Sequence, residues 1–337
     1  MKVGILGLNN YIMSMKKLLL ILSVLVCCTS CYEDYIKDYD YSGIYFTHQV
    51  DVRSFIIGER NKFDFGAVLG GVMSNDKKRE VYFEIDPSII DETILDKMKT
   101  SKFDHIKNST AKLESLELLP SEWYSLSNYE KMTIDKGRYA GIVSVEMQDG
   151  FLKNYTETIS PKYVLPIRII RADADSLMAG KEYTVIGVKY ECKLFGYYYN
   201  YGEYVYYNAQ GEETERKKIA FKIPMDDNYI NTLVTSAPNS VMSSMAANNI
   251  DYKMNIKLKE DNTIDLLAPE GVGYSIQSVG ECKYNNPKLL QDRKMFLNYK
   301  ITNGDGSYIV ANDTLVFRNR IRDGVKEWRD EDPENYK

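Results

Sequence analysis

Short segments in which apolar and polar residues alternate recur along most of this chain. In EVYFEI, residues 80–85, the side chains of Val81, Phe83 and Ile85 would share one face of an extended strand, while their polar neighbours share the other. Further segments rich in β-branched and aromatic residues are GIYFT at 43–47, RSFII at 53–57, YAGIVSVEM at 139–147 and YVLPIRII at 163–170. This pattern predicts an all-β fold.

The 337 residues are enough for two domains, since a typical domain has about 100 to 200 residues. The number and spacing of strand-like segments in residues 43–172 predict an immunoglobulin-like β-sandwich. The run RADADSLMAGKE then shifts to small and charged residues, which predicts a linker over 173–182. Strand-like segments resume beyond it, so residues 183–337 are predicted to form a second antiparallel β domain, either barrel-like or a sandwich.

Three local patterns add detail to these domains. The segment at 87–103 predicts a connecting helix, because its apolar residues have helical spacing: Ile90, Ile94, Leu95 and Met98. In YVLPIRII, Pro166 cannot donate a hydrogen bond to a β-ladder, which predicts an edge strand or a bulge. In ITNGDGSYI at 301–309, the Asn-Gly and Asp-Gly pairs predict a hairpin turn.

The N-terminus carries the features of a secretion signal. MKK at 15–17 is positively charged, LLLILSVLV at 18–26 is apolar, and CCTSC at 27–31 brings small residues up to a cysteine. The apolar run is far shorter than the roughly 20 residues that a membrane-spanning helix needs, so residues 1–30 are predicted to be a signal peptide. A buried helix of the folded domain is the alternative. Residues 1–14 precede the charged start and indicate a mis-set start codon.

The end of this signal resembles that of bacterial lipoproteins, in which a cysteine after small residues becomes the acylated first residue of the mature chain. Cys31 matches that position, because Thr29 and Ser30 precede it. Residues 31–42 are polar and acidic and lack apolar periodicity, which predicts a lipid-anchored tether. The acidic residues after Cys31 resemble the export signal of Bacteroidetes-type lipoproteins, which implies the outer membrane and its exterior face.

Charge and motifs argue against several classes of function. The chain has 43 basic and 48 acidic residues, a net charge of -5, and no long block of one sign, so no nucleic-acid partner is expected. Its two histidines, His48 and His105, stand outside any catalytic motif. DYDYSG at 38–43 looks like half a calcium loop, but Gln49 replaces the bidentate glutamate. We therefore expect no enzyme activity, no metal and no cofactor.

The stretch FGYYYNYGEYVYYNA at 195–209 is the strongest candidate for a binding surface. In an extended chain Tyr197, Tyr199 and Tyr201 share one face and Tyr198 takes the other, and the Gly-Glu pair after Tyr201 could turn the chain before Tyr204. Rings in a row can stack on the C–H faces of sugars, so a ligand-binding set is proposed: Tyr197, Tyr199, Tyr201 and Tyr204. The alternative is cross-strand aromatic packing, which stabilises a hairpin by roughly 0.2 to 1 kcal/mol per pair.

Two covalent modifications are open. After removal of the signal and lipidation of Cys31, the remaining thiols are Cys192 and Cys282, which could pair as a disulfide in an oxidising compartment or stay free. Asp-Ser-Leu around Ser176 resembles the acidic, hydroxyl, apolar triplet that Bacteroidetes glycosylate on secreted proteins. A linker there would leave Ser176 accessible, so it is the candidate for O-glycosylation.

Longer segments resemble a two-domain family of Bacteroidetes surface lipoproteins. They are YVLPIRII, LPSEWYSLSNYEKMTIDKG at 119–137, and LNYKITNGDGSYIVANDTLVFRNRIRDGVKEWRDE at 297–331. Members of this family pair an immunoglobulin-like N-terminal domain of unknown function with a β-rich C-terminal domain of unknown function. They are commonly encoded in polysaccharide utilisation loci. The resemblance implies a non-catalytic cell-surface protein that binds an oligosaccharide or glycoconjugate for an outer-membrane importer. The alternatives are a scaffold lipoprotein without a glycan site and, less favoured, a glycosidase.

Overall fold

The computed structural model describes residues 40–330 except for Ile57, Arg60, Asn154 and residues 223–225. The predicted signal peptide at 1–30, its start at 1–14 and the lipidation site Cys31 lie outside the described residues. The tether predicted at 31–42 lies partly outside them, and its last residues already belong to the first strand.

The first part of the chain is built mainly from short strands. They are β1 (Asp40–Tyr45), β2 (Val50–Ile56), β3 (Lys62–Val72), β4 (Arg79–Ile85), β5 (Glu117–Leu118), β6 (Tyr124–Leu126), β7 (Lys131–Ile134), β8 (Ala140–Met147), β9 (Tyr163–Ala172), β10 (Ser176–Leu177) and β11 (Tyr183–Glu191). They form two sheets, β10-β1-β3-β8-β6 and β2-β11-β9-β4-β7, with β5 beside β9. The inward faces of both sheets supply one hydrophobic core, so the predicted β-sandwich is confirmed.

The predicted boundary between the two halves is wrong. The supposed linker at 173–182 contains β10, which pairs with β1 in parallel. Strand β11 was assigned to the second domain, but it pairs with β9 and, in parallel, with β2. Its residues Ile186, Val188 and Tyr190 belong to the first core, whereas Cys192 belongs to the second. The first unit therefore ends at the close of β11.

Pro166 lies in a central strand, neither at a sheet edge nor at a bulge, because β9 has β11 on one side and β4 on the other. The ladder to β4 begins only at Ile167, and Asp86 donates its backbone N–H to the Pro166 carbonyl. The backbone N–H that proline lacks would therefore point past the end of β4. No hydrogen bond of the ladder between β9 and β4 is lost at this position.

The helices of this unit are short: α1 (Glu92–Lys99), α2 (Asp104–Thr110), α3 (Asp149–Lys153) and α4 (Tyr155–Thr158), with 3-10 turns at Pro87–Ile89 and Ser121–Trp123. The helix predicted at 87–103 is thus broken before α1, because the Asp91 side chain accepts the backbone N–H of Ile94 at 2.8 Å and caps a new start. Ile94 and Met98 pack on the outer face of the second sheet against β2, β9 and β11.

The second unit is antiparallel. Its strands are β12 (Gly196–Tyr207), β13 (Glu213–Ile219), β14 (Ile230–Ala237), β15 (Ser240–Ser243), β16 (Met254–Leu258), β17 (Ile264–Leu267), β18 (Tyr274–Ser278), β19 (Lys283–Tyr284), β20 (Lys294–Asn303), β21 (Tyr308–Arg322) and β22 (Val325–Glu327), with 3-10 turns at Asp227–Tyr229 and Leu290–Asp292. The main path of the sheet is β17-β16-β15-β14-β12-β21-β20-β18. The hairpin predicted at 301–309 is confirmed as the turn from β20 to β21.

This sheet curls until its two ends meet. Thr263, just before β17, bridges to Lys283 in β19, which pairs with β20. The backbone N–H of Ile264 donates to the Cys282 carbonyl at 2.9 Å, so hydrogen bonds continue across the closure. The sheet is therefore curled into a barrel-like shape that is joined at this bridge, and its inward side chains form the second core.

A buried network of charged groups joins the two units. Glu59, between β2 and β3, contacts Arg293 at 2.6 Å and Arg320 at 2.8 Å, and Arg320 also contacts Glu327 at 2.6 Å. Burial alone would raise the pKa of Glu59, but the hydrogen bonds and charges of the two arginines outweigh it and lower that pKa. Loss of one member would leave buried charge uncompensated, so we expect this network to hold the two units in one arrangement.

Candidate functional site

Strand β12 carries the tyrosine-rich stretch through the centre of the barrel wall. It runs without interruption, pairs with β21 along its length, and pairs on its other edge with β14 and then β13. The turn predicted after Tyr201 is therefore wrong. Gly202 serves close packing instead, since a Cβ atom there would lie 1.9 Å from the Asn312 carbonyl oxygen of β21.

The two faces of β12 differ sharply in burial. Tyr198 and Tyr204 point into the barrel and are 0% and 1% exposed. Tyr197, Tyr199 and Tyr201 lie on the opposite face and are half-buried. The predicted alternation of faces is thus confirmed for these positions, and the outward row is the one that could meet a ligand.

Tyr204 belongs to a buried hydrogen-bond network, so its assignment to the ligand-binding set is wrong. Its hydroxyl donates to Asp313 Oδ1 at 2.5 Å, and the Tyr299 hydroxyl donates to the other oxygen of the same carboxylate. Burial raises the pKa of Asp313 to about 6, although both tyrosine hydroxyls act to lower it. Burial and the neighbouring carboxylate likewise raise the pKa of Tyr204. A ring held this way cannot contact a ligand at the surface.

Phe221, which follows β13 in the chain, packs its ring against the outward tyrosines Tyr199 and Tyr201. Its ring centroid lies 5.1 Å from that of Tyr201 in a tilted arrangement and 6.2 Å from that of Tyr199 in an edge arrangement. The guanidinium carbon of Arg318 lies 5.8 Å from the Tyr199 centroid. Phe221 itself is 41% exposed, so this aromatic cluster is anchored at one end and open to solvent at the other.

A groove of about 480 Å³ begins at this cluster and runs along the sheet face. We refer to it as the tyrosine groove; it is lined by Tyr201, Gly202, Glu203 and Val205 of β12, by Val310, Asn312 and Thr314 of β21, and by residues 218–221 of β13 and the segment after it. The strand register places Tyr201 opposite Thr314 and Glu203 opposite Asn312. The floor therefore passes from Tyr201 and Thr314 to the polar pair Glu203 and Asn312, and then to the apolar pair Val205 and Val310.

The polar groups of the groove are held by their neighbours. Glu203 pairs with Arg216 at 2.5 Å, and Asn312 donates its amide to Asn298 Oδ1 at 2.6 Å. Lys218, opposite Glu203 in the register, is exposed. A carboxylate, an amide and an ammonium group beside an aromatic wall can accept and donate hydrogen bonds to a ligand that also has an apolar face.

The other predicted site residues do not join this groove. Tyr197 shares the outward face but lines no part of it. Ser176 is a half-buried member of β10 rather than part of an open linker, so the premise of its accessibility fails and its glycosylation stays a prediction. Cys192 and Cys282 are buried free thiols, and the disulfide is not formed; Cys282 Sγ instead accepts the Asn298 backbone N–H at 3.2 Å.

Sequence reasoning missed Phe221, Lys218 and Asn312 as groove residues. Lys218 and Phe221 stand in the segment KKIAFKI at 217–223, and nothing in that segment indicates that β13 pairs with the tyrosine strand itself. The polar run after Tyr207 contains a Gly and two Asn or Gln residues, which is a turn signal between two strand-like segments. That signal could have predicted that the two segments form a hairpin, but not which residues face each other, because the pairing of β12 with β13 shifts register between Tyr206 and Tyr207.

Within residues 40–330 as described, no cluster of three or more His, Cys, Asp or Glu side chains is arranged to hold a metal ion. In the same part of the chain, no helix has the length and apolar character needed to cross a membrane.

One comparison with known protein families matches most of the first unit. A family model described as "-like, N-terminal domain" matches residues 35–176. The match ends inside β10, before β11 completes the second sheet of the sandwich. No curated protein matches this sequence.

Solved structures that match this chain include three from Bacteroides ovatus. A structural-genomics protein of unknown function is 17% identical, with a TM-score of 0.61 over 86% of this chain and 98% of its own. Another such protein is 16% identical, with a TM-score of 0.45 over 86% and 100% of the two chains. A multidomain protein including DUF1735 is 14% identical, with a TM-score of 0.45 over the same shares. The first of these shows that the two-unit fold is shared.

Proposed function

We propose that this protein binds an oligosaccharide in the tyrosine groove without cleaving it. The observation that carries the proposal is the Tyr201–Phe221 ring pair, 5.1 Å apart, at the head of a groove whose floor continues with Glu203 and Asn312. A pyranose ring has an apolar C–H face and a rim of hydroxyls, so it needs this combination of an aromatic wall and polar groups.

The shape of the groove favours a chain over a single sugar. Val205 lies four residues beyond Tyr201 along the extended strand, which corresponds to about 13 Å at roughly 3.3 Å per residue. The groove is open to solvent rather than enclosed, so sugar units on either side of a bound ring could extend into solvent. We therefore propose that it contacts internal units of an oligosaccharide or glycoconjugate.

The proposed setting is the outer membrane, facing the cell exterior. The charged start, apolar run and small residues before Cys31 support a lipidated N-terminus, and the acidic residues after it support surface export. A protein so placed would capture glycan for an outer-membrane importer. Radiolabelled palmitate tests the anchor: we expect label on wild-type protein and none on Cys31→Ala, and equal labelling would contradict it.

Affinity gel electrophoresis tests glycan binding. The soluble chain beginning at residue 32 is run through gels that contain one polysaccharide each, drawn from plant, animal and microbial sources. We expect at least one polysaccharide to slow its migration, and reducing-end assays on the same polysaccharide to show no cleavage. Unchanged migration in every gel would contradict the proposal and favour the scaffold alternative, whereas new reducing ends would favour a glycosidase.

A further inference from the structure

A second and larger cavity lies where the two units meet. This junction cleft has a volume of about 580 Å³, within the roughly 300 to 1,000 Å³ typical of ligand sites. Its walls come from the segment between β1 and β2, from β2, β3, α2 and β11 of the first unit, and from the β21–β22 hairpin of the second. Domain junctions are preferred locations for small-molecule sites.

Both units contribute exposed apolar side chains to the junction cleft, and Lys102 Nζ lies 5.2 Å from the centroid of the Phe103 ring. Phe103 is 36% exposed and packs edge-on against His48, with ring centroids 5.1 Å apart. From the other unit, Ile321 and Val325 are 46% and 61% exposed. Apolar side chains exposed at the opening of a concave site are typical of surfaces that a ligand covers.

The floor of the junction cleft is polar and ordered. Arg53 contacts Asp51 at 2.7 Å and lies 4.0 Å from Asp323, and His105 Nε2 lies 3.5 Å from Asp51 Oδ1. Asp323 also accepts the Ser54 backbone N–H at 2.7 Å. Carboxylate acceptors and guanidinium donors therefore alternate across a small area.

One donor in this floor has no partner. The Nε atom of Arg53 is buried, and no hydrogen-bond acceptor is found for it among the described residues. Buried donors are nearly always satisfied, so an unpaired one beside a cavity is expected to bond to a group from outside the chain, either water or a ligand. A ligand oxygen is a suitable acceptor.

Contact between the units does not by itself account for the cleft. The buried contacts of Glu59 with Arg293 and Arg320 already join the units nearby. Gly324 presses so closely on His105 that a Cβ atom would lie 2.8 Å from Nδ1, and its φ of 77° favours glycine. The hairpin thus closes one wall tightly while the space beside it stays open.

We propose that the junction cleft binds the terminal pyranose ring of a glycan. The ring would place its C–H face on Phe103 and its hydroxyl rim on the alternating carboxylates and guanidinium of Asp51, Asp323 and Arg53. The inference rests on the proposed glycan-binding function but concerns a different site: the tyrosine groove takes internal units of a chain, and the cleft takes its end.

Saturation-transfer NMR with the soluble chain from residue 32 tests this proposal. D-glucose, D-galactose, D-mannose and N-acetyl-D-glucosamine are the probes, each at millimolar concentration. At least one should receive saturation on its ring protons from wild-type protein and from Tyr201→Ala. Phe103→Ala should weaken that sugar's binding about fivefold, since an aromatic contact contributes about 1 kcal/mol.

Arg53→Lys provides a second variant, since it keeps the positive charge but removes the planar fork of donors. Arg53→Lys should also lower the saturation-transfer signal of that sugar. The circular dichroism spectrum and melting temperature of Phe103→Ala should equal those of wild type, which would show that this variant is folded. No signal from any of these sugars, or an equal signal from wild type and Phe103→Ala, would overturn the cleft proposal. The tyrosine groove is tested by a different experiment, which compares the retention of wild type and Tyr201→Ala on polysaccharide gels. A negative result for the junction cleft can therefore be distinguished from a negative result for the groove.

Discussion

The inward and outward tyrosines of β12 have the same chemistry and different surroundings. On the inward face, Tyr198 and Tyr204 are almost fully buried, and Tyr204 donates its hydroxyl to a buried carboxylate. On the outward face, Tyr199 and Tyr201 are half-buried and contact the partly exposed ring of Phe221. Residues one position apart in sequence are therefore expected to serve stability on one face and binding on the other.

This contrast comes from the period of a strand and from what each face meets. Successive side chains of an extended strand point to opposite faces, so a run of tyrosines must divide between them. Inside the barrel, Asp313 accepts from the hydroxyls of Tyr204 and Tyr299, whereas no partner is found among the described residues for the buried Tyr198 hydroxyl. Outside it, water can satisfy the hydroxyls, and the ring faces remain available.

The largest expected effect is loss of an inward ring. Tyr204→Ala should lower the free energy of unfolding by about 3 to 5 kcal/mol, because it leaves a cavity in the second core and removes a donor from Asp313. Tyr201→Ala is the matched outward variant and should cost about 1 kcal/mol or less. Urea denaturation followed by circular dichroism measures both. Equal losses would show that the two faces are not distinct in the way described.

Asp313 gives the inward face a dependence on pH. Its pKa of about 6 when folded exceeds its ordinary value of 3.8, so the folded chain holds this proton more tightly than the unfolded chain. Its contribution to stability is therefore largest below about pH 4 and is lost between about pH 4 and pH 6, by about 3 kcal/mol at most.

Asp313→Asn cannot titrate, so it should not show this loss. Other carboxyls titrate in both proteins, and only the difference between the two curves of unfolding free energy against pH isolates Asp313. We expect wild type to lose stability relative to the variant as pH rises from about 4 to 6. Parallel curves would mean that this carboxyl does not change its protonation on unfolding in that range.

Gly202 tests how closely the backbones of β12 and β21 approach between the two faces. Gly202→Ala should destabilise the chain by about 1 to 3 kcal/mol, because its Cβ would lie 1.9 Å from the Asn312 carbonyl oxygen. Gly273→Ala is the control, since nothing lies within 4 Å of a Cβ there. Thermal melts should show a lower midpoint for the first and no loss for the second. An unchanged midpoint in Gly202→Ala would contradict the close approach.

Local periodicity in the sequence was enough to predict the all-β fold and the division of Tyr197, Tyr199 and Tyr201 from Tyr198. The 301–309 hairpin was also predictable, because its turn residues favour positive φ. These features depend on neighbours in sequence, so a single chain contains the information for them.

Features that depend on distant pairing could not be predicted in this way. Strand β11 has the same local pattern as any buried strand, and its pairing with β9 and β2 is what assigns it to the first unit. The burial of Tyr204 depends on Asp313, which is 109 positions away along the chain. The junction cleft is lined by residues from both units, which lie far apart in the sequence, so no short motif predicts it.

The central claim is that the outward face of β12 binds glycan while the inward face holds the fold. Affinity gel electrophoresis on a retained polysaccharide compares wild type, Tyr201→Ala and the control Tyr129→Ala, whose ring is 64% exposed and lies in the first unit. We predict that Tyr201→Ala binds about fivefold more weakly, for a lost contact of about 1 kcal/mol, while Tyr129→Ala binds like wild type. Undiminished binding by folded Tyr201→Ala would contradict the account.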